Sequence, residues 1–265
     1  MAAATVGWAL VEPVVMGARV IGVISDEPVG ARIRVRDGWL HSLVALGANA
    51  MPVATTSDSR RVLAEVLTAG VGGRRRGVAS LVGPRAEVLD LWHRLAGSWG
   101  PAREVRAQQP LLALARAPLV RPDPRVRPLR AAEVDLLVPA ATAMFREEVG
   151  VEPATAATHG AYRERLAQTV RAGWAFARVD DGSVTFKAEV GALAHGVCQI
   201  QGVWVAAHLR GQGVGTAAMA AVVLACQRRI APVVSLYVND YNRTARAMYE
   251  RVGFSEVGQF ATVLL

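Results

Sequence analysis

With 265 residues the chain is long enough for two domains of ordinary size, each able to bury a core. An apolar share of 52% beside 20% charged residues excludes wholesale disorder. The net charge of +8 is carried almost wholly by arginine, Lys187 being the only lysine, and such basicity suits an anionic ligand, a nucleic acid or an acidic protein.

The N-terminal stretch MAAATVGWALVEPVV is apolar but has no basic leader and meets Glu12 early, so no secretory signal is expected. Residues 1 to about 117 then alternate strand and helix signals. Trp39 to Thr55 reads as extended or hairpin structure and Ser57 to Thr68 as a helix started by Ser57 or Ser59. Val78 to Val82 reads as a short strand, Arg85 to Leu95 as a second helix after Pro84, and Leu111 to Ala115 as another strand. The loop GVGGRRRG, Gly70 to Gly77, holds three adjacent arginines and reads either as a solvated loop or as a nucleic-acid or partner patch.

Prolines 118, 122, 124 and 128 crowd the stretch Arg116 to Arg130, where they remove backbone donors and fix extended geometry. This predicts a linker at 118–124 between a domain at 1–117 and another at 125–265. In the second half, Arg125 to Arg130 reads as a strand, Ala131 to Phe145 as a helix that Pro139 interrupts, Met144 to Pro153 as a loop, and Ala156 to Arg171 as a helix. Strands at Ala175 to Val179 and Val184 to Val190 flank an Asp181-Gly182 hairpin turn, and a further strand runs from Cys198 to Val205. Cys198 and Cys226 show no metal-ligand spacing and are expected as buried thiols of a reducing cytoplasm, with no metal site. The longest apolar run, Gly213 to Cys226, is too short to span a bilayer, so a soluble, cytoplasmic protein with no membrane partner is expected.

The stretch QIQGVWVAAHLRGQGVGTAAM, Gln199 to Met219, runs from strand through a glycine turn straight into a helix. Such a turn gathers backbone N–H groups at the positive end of the helix, the glycines allow close approach, and Arg210 adds a charged donor. A phosphorylated ligand is the simplest reading, a plain tight turn the alternative. The turn is not a Walker loop, because no Lys followed by Ser or Thr comes after the last glycine. Nor is it a dinucleotide fingerprint, since Gly211, Gly213 and Gly215 are wrongly spaced and no suitable acid follows about 20 positions on.

What remains, Arg210-x-x-Gly213-x-Gly215, resembles the coenzyme A pyrophosphate loop of the GNAT superfamily of N-acetyltransferases. Downstream, SLYVNDYNRTARAMYERVGF, Ser235 to Phe254, resembles the next part of that fold, with a strand ending near Asn239, a helix from about Asn242 to Arg251 and an exit at Gly253-Phe254. The resemblance implies an α+β fold, an α/β mixed sheet, with a GNAT acyltransferase domain in the C-terminal half. The first half repeats the order strand, helix, strand, helix, strand and is expected to be a degenerate GNAT-like domain, making the protein a tandem. Where its phosphate turn should fall it offers only ATTSDSR, so it is not expected to bind coenzyme A.

The resemblance also implies site residues. Arg210, Gly211, Gln212, Gly213, Val214, Gly215 and Thr216 would hold the pyrophosphate of acetyl-CoA. The backbone of Val203, Trp204 and Val205 would hold pantetheine between two splayed strands and polarise the thioester carbonyl. Tyr249 falls at the general-acid position, with packing as its alternative role, and Trp204 either borders the acceptor or only packs. Asn239 and Asn242 match positions that touch the cofactor arm, though helix capping explains Asn242 nearly as well. The strand before the turn carries Gln199 and Gln201 where many members have a glutamate, which leaves Glu147, Glu148 and Glu189 as candidate bases.

The function so implied is transfer of an acetyl group from acetyl-CoA to a primary amine in a ternary complex. The acceptor is a small metabolite or a protein N-terminus or lysine. The alternative is a non-catalytic acyl-CoA sensor that regulates a partner, and nucleic-acid binding rests only on net charge and the Arg74 to Arg76 run.

Overall fold

The computed structural model describes residues 30–36, 39–46, 49–53, 55–69, 78–150, 152–153, 158–194 and 196–265. The N-terminal stretch and the arginine loop Gly70 to Gly77 lie outside the described residues. The chain separates into two units that no single cut produces. The C-terminal unit holds Leu112–Leu236 and Asn242–Ser255, and the N-terminal unit holds the described residues up to Leu111 together with Tyr237–Tyr241 and Glu256–Leu265.

The N-terminal unit opens with the antiparallel strands β1 (Gly30–Arg36), β2 (Trp39–Leu46) and β3 (Asn49–Val53). Helix α1 (Ser57–Ala69) leads into β4 (Ser80–Pro84), and helix α2 (Arg85–Trp99) leads into β5 (Glu104–Leu114). β3 and β4 run parallel, as a helical crossover allows. Apolar residues at helical spacing, Leu63 and Leu67 on α1 and Val88, Leu91 and Leu95 on α2, seal the helices against the sheet. The strand order is β1-β2-β3-β4-β11-β5, where β11 (Ser255–Leu264) is the last strand of the chain. β11 pairs antiparallel with β4 from Phe260↔Pro84 to Leu264↔Ser80, and its Ala261 and Val263 are fully buried in the core of this unit. The core of the first half is therefore completed from the far end of the chain.

The C-terminal unit carries β6 (Arg127–Pro128), α3 (Val134–Val149), α4 (His159–Arg171), β7 (Ala175–Asp180), β8 (Ser183–Ala194), β9 (Val197–Val205), α5 (Val214–Arg229), β10 (Val233–Tyr237) and α6 (Arg243–Val252), with strand order β10-β9-β8-β7-β6. β7 and β8 form the expected hairpin, and the positive φ of both Asp181 (49°) and Gly182 (74°) is what a tight two-residue turn requires. One expectation is corrected: the start of the predicted loop Met144 to Pro153 is helix. α3 runs through Pro139 as far as Val149 because Met, Arg and Glu are good helix formers, and Gly150, at φ 75°, ends it. Glu147 and Glu148 are thus fixed on the last turn of a helix.

The proline-rich stretch is anchored to the C-terminal unit. Leu119 N donates to Val252 O and Asp123 N to Ala217 O, both at 2.9 Å. The buried Asp123 carboxylate also accepts from Arg125 at 3.1 Å and from Arg178 at 3.4 Å. Cys198 and Cys226 are buried free thiols, and no described helix is long and apolar enough to cross a membrane.

Candidate active site

β9 and β10 run parallel but pair only from Val197↔Val233 to Gln199↔Ser235, while β9 continues to Val205. Beyond Gln199 one edge of β9 is released from its neighbour, leaving backbone donors and acceptors open to an extended ligand. On its other edge β9 pairs with β8, and the register slips there: Lys187 lies opposite Trp204 but Glu189 opposite Gln201. The extra residue is a β-bulge at Gly202, whose φ of 61° is left-handed.

β9 ends at Val205, and the turn Arg210 to Gly213 carries the chain into α5. Gly211 and Gly213 have φ 75° and 77°, and a Cβ built on either would meet no atom within 4 Å. Gly213 is the N-cap of α5, whose first turn carries no acid. This gives an open, uncharged backbone at a helix N-terminus, an arrangement that accommodates a phosphate. Gly215 has a different role. A Cβ there would lie 3.0 Å from Met248 Sδ and 3.2 Å from Val205 Cγ2, so this glycine lets α5 pack against α6 and β9.

The candidate acids are held in three different ways. Glu147 accepts from Trp204 Nε1 at 3.2 Å and from Arg210 at 2.7 Å, and Arg210 Nε also donates to Val205 O at 2.9 Å. Glu148 is exposed on α3. Its negative charge adds to burial in pushing the Tyr249 phenol above its ordinary value. Tyr249 is only 6% exposed and meets Phe254 edge-on with ring centroids 5.8 Å apart. Glu189 is buried on β8 and ion-paired with Lys187.

Burial raises the Tyr162 phenol on α4; Arg165, whose guanidinium lies 5.1 Å from the ring centroid, opposes this, and the negative charge of Glu189 adds to it. Lys187, Tyr162 and Gly202 were not singled out for the site by motif. A single lysine among arginines and a glycine inside an alternating strand were the available signals.

Asn242 caps α6, its side-chain oxygen accepting from Ala245 N at 3.1 Å. Asn239 belongs to the N-terminal unit, where its oxygen accepts from Gln109 Nε2 at 2.8 Å, and Gln212 donates to His208 O at 2.7 Å. In the N-terminal unit the turn between β3 and α1 is closed by a side chain. Thr55 donates to the Glu87 carboxylate through its backbone N–H, at 2.8 Å, and through its hydroxyl.

Residues 32–137 match a family model described as a domain of unknown function (DUF4081), and residues 140–254 match the acetyltransferase (GNAT) family. No curated protein matches the chain in sequence. Among solved structures, the chain resembles an acetyltransferase from the GNAT family of Colwellia psychrerythraea, with 10% identity, TM-score 0.54, and 89% of this chain and 85% of that one covered. A GCN5-related N-acetyltransferase from Kribbella flavida gives 17% identity, TM-score 0.54, and coverages of 84% and 86%. A tandem GNAT protein from the clavulanic acid biosynthesis pathway gives 14% identity, TM-score 0.53, and coverages of 88% and 81%. At these identities the likeness is one of fold. Residues 140–254 thus form a domain that matches the acetyltransferase (GNAT) family, behind a domain of unknown function in a mixed α/β fold like that of these structures.

Proposed function

We propose that the C-terminal unit is an N-acetyltransferase that passes the acetyl group of acetyl-CoA to a primary amine by direct attack, without a covalent enzyme intermediate. The observation that carries this reading is the coincidence, in one unit, of the open turn Gly211 to Gly213 at the head of α5 with a strand β9 that β10 leaves unpaired beyond Gln199. Arg210 to Thr216 would hold the pyrophosphate through backbone N–H groups, with Arg210 exchanging the Glu147 carboxylate for a phosphate. The N–H groups of Val203, Trp204 and Val205 would hold pantetheine and polarise the thioester oxygen. One such donor contributes about 3 kcal/mol in comparable sites.

Tyr249, kept protonated by burial, would donate to the departing thiolate. Glu147, Glu148 and Glu189 make the acceptor side acidic, which suits a cationic amine, either a small metabolite or a protein N-terminus or lysine. Calorimetry with acetyl-CoA, followed by free-thiol release against pools of amines, tests the reading.

A second reading is favoured by Gln199 and Gln201, which stand on β9 where a carboxylate could have taken the amine's proton. On that reading the unit senses acyl-CoA for a partner. Tight binding of acetyl-CoA with no amine-dependent thiol release distinguishes it from the first.

A further inference from the structure

Lys187 is the only lysine among 30 lysines and arginines, and its side chain is 1% exposed. In a chain that uses arginine at every other cationic position, the exception is a cation sealed beside a carboxylate, that of Glu189. Burying such a pair is costly unless both charges are well partnered, so its presence against a sheet calls for a reason.

Its position supplies one. A Cβ on Gly202 would lie 3.1 Å from Lys187 Nζ, 3.4 Å from Met144 Sδ and 3.6 Å from Glu189 Oε1. The bulge therefore brings bare backbone onto the ion pair. Gly202 immediately precedes Val203, the first of the three residues whose N–H groups would hold the acyl donor. A compact ammonium fits this space where a planar guanidinium would need more room. The Glu189 side chain keeps 11% of its surface exposed against 1% for Lys187, so the carboxylate is the member of the pair that reaches outward. The other acids are less suited: Glu147 still accepts from Trp204 Nε1 when Arg210 turns to a phosphate, and Glu148 is exposed at the helix end.

Resting on the acetyltransferase reading, the geometry points to Glu189 as the proton acceptor for the attacking amine and to Lys187 as the positioning residue that holds its carboxylate against the Gly202 bulge. The amine nitrogen forms its bond to the acyl carbon, and one N–H proton passes to Glu189. The carbon–sulfur bond then breaks and the thiolate takes a proton from Tyr249. Glu189 gives up its proton and Tyr249 regains one through solvent, so amine and thioester become amide and thiol with nothing else consumed. The acid that many relatives carry on the strand before the turn is here supplied by the neighbouring strand, β8.

The test uses the full chain, acetyl-CoA and an amine found by thiol release. Glu189→Gln is expected to lower kcat at least about 100-fold with the Kd for acetyl-CoA unchanged, and the rate should recover as rising pH strips the amine of its own proton. Lys187→Met should lower kcat about 10-fold or more in the wild-type background and not at all in the Glu189→Gln background, because it acts only through Glu189. Each single variant leaves one charge of the pair buried without its partner, so folding is checked first; the double variant carries no buried unpaired charge, and where a single variant unfolds its kcat is read instead, a loss of at least about 100-fold supporting the proposal and wild-type kcat overturning it. Wild-type kcat in Glu189→Gln, or an equal loss from Lys187→Met in both backgrounds, overturns the proposal. A wild-type chain that binds no acetyl-CoA, or binds it without amine-dependent release, brings down the acetyltransferase reading itself and this inference with it.

Discussion

Thr55 gives its backbone N–H to the carboxylate of Glu87 at 2.8 Å, at the place in the N-terminal unit where a strand-to-helix turn would otherwise offer donors to a phosphate. The anion there is the protein's own, set by α2 against the start of α1. The full chain should therefore bind one equivalent of acetyl-CoA by calorimetry, and two equivalents would contradict this. Glu87→Ala should destabilise the N-terminal unit by about 1 kcal/mol, the scale of a lost partly buried hydrogen bond, as read by chemical denaturation.

A second expectation concerns β11. Val263 is fully buried in one cluster with Leu81 and Leu91. Val263→Ala should cost about 2 kcal/mol through lost burial and the cavity left behind. A fragment of residues 1–117 lacks this strand and should fail to fold by circular dichroism. A well-folded fragment would show that β11 is dispensable.

The alternation of apolar residues and the Asp181-Gly182 turn located β7, β8 and β9, and the glycine turn located α5, since each is a local pattern with a local cause. β11 could not be placed in the same way, because its partners lie near the start of the chain and pairing across that distance leaves no periodicity to read. The last turns of α3 were missed because two adjacent acids suggested a loop, whereas the residues around them favour helix until Gly150. At the candidate site, Arg210 stood out by its place before the glycine turn, and Tyr249 only through the family resemblance. The Lys187 and Glu189 pair was not legible, because its meaning depends on a bulge that only the register of β8 and β9 defines.

Tyr249→Phe should lower kcat about 10-fold to 100-fold while leaving the Kd for acetyl-CoA unchanged. The effect is at the low end because a well-placed water can deliver part of the proton in place of the phenol. Unaltered kcat, measured where chemistry limits turnover, would assign Tyr249 to packing against Phe254.

Stability should fall in acid partly through Glu133. Hydrogen bonds from Arg127 pull its carboxyl down to about 2, against a smaller opposing effect of burial, and the Arg130 N–H assists. A carboxyl lower in the folded than in the unfolded chain stabilises fully above the unfolded value and loses that contribution as pH drops through the folded one. The window is from about 4.5 down to about 2. Because Arg127 is partly exposed, screening holds the contribution to roughly 1–2 kcal/mol. Glu133→Gln should flatten the pH dependence of Tm in this window, and an unchanged slope would remove Glu133 from the account.

The most direct measurement is free-thiol release by the full chain from acetyl-CoA, with and without an amine pool, alongside Gly213→Asp. Aspartate at Gly213 meets no neighbour but takes on a left-handed φ of 77°, at a cost of about 1–2 kcal/mol that folding is checked to withstand, and it places a negative charge at the head of α5. Amine-dependent release by the wild-type chain, matched mole for mole by acetylated product and abolished together with acetyl-CoA binding in the variant, is the predicted result. Release that ignores the amine, or a variant that binds acetyl-CoA as tightly as the wild type, would contradict it.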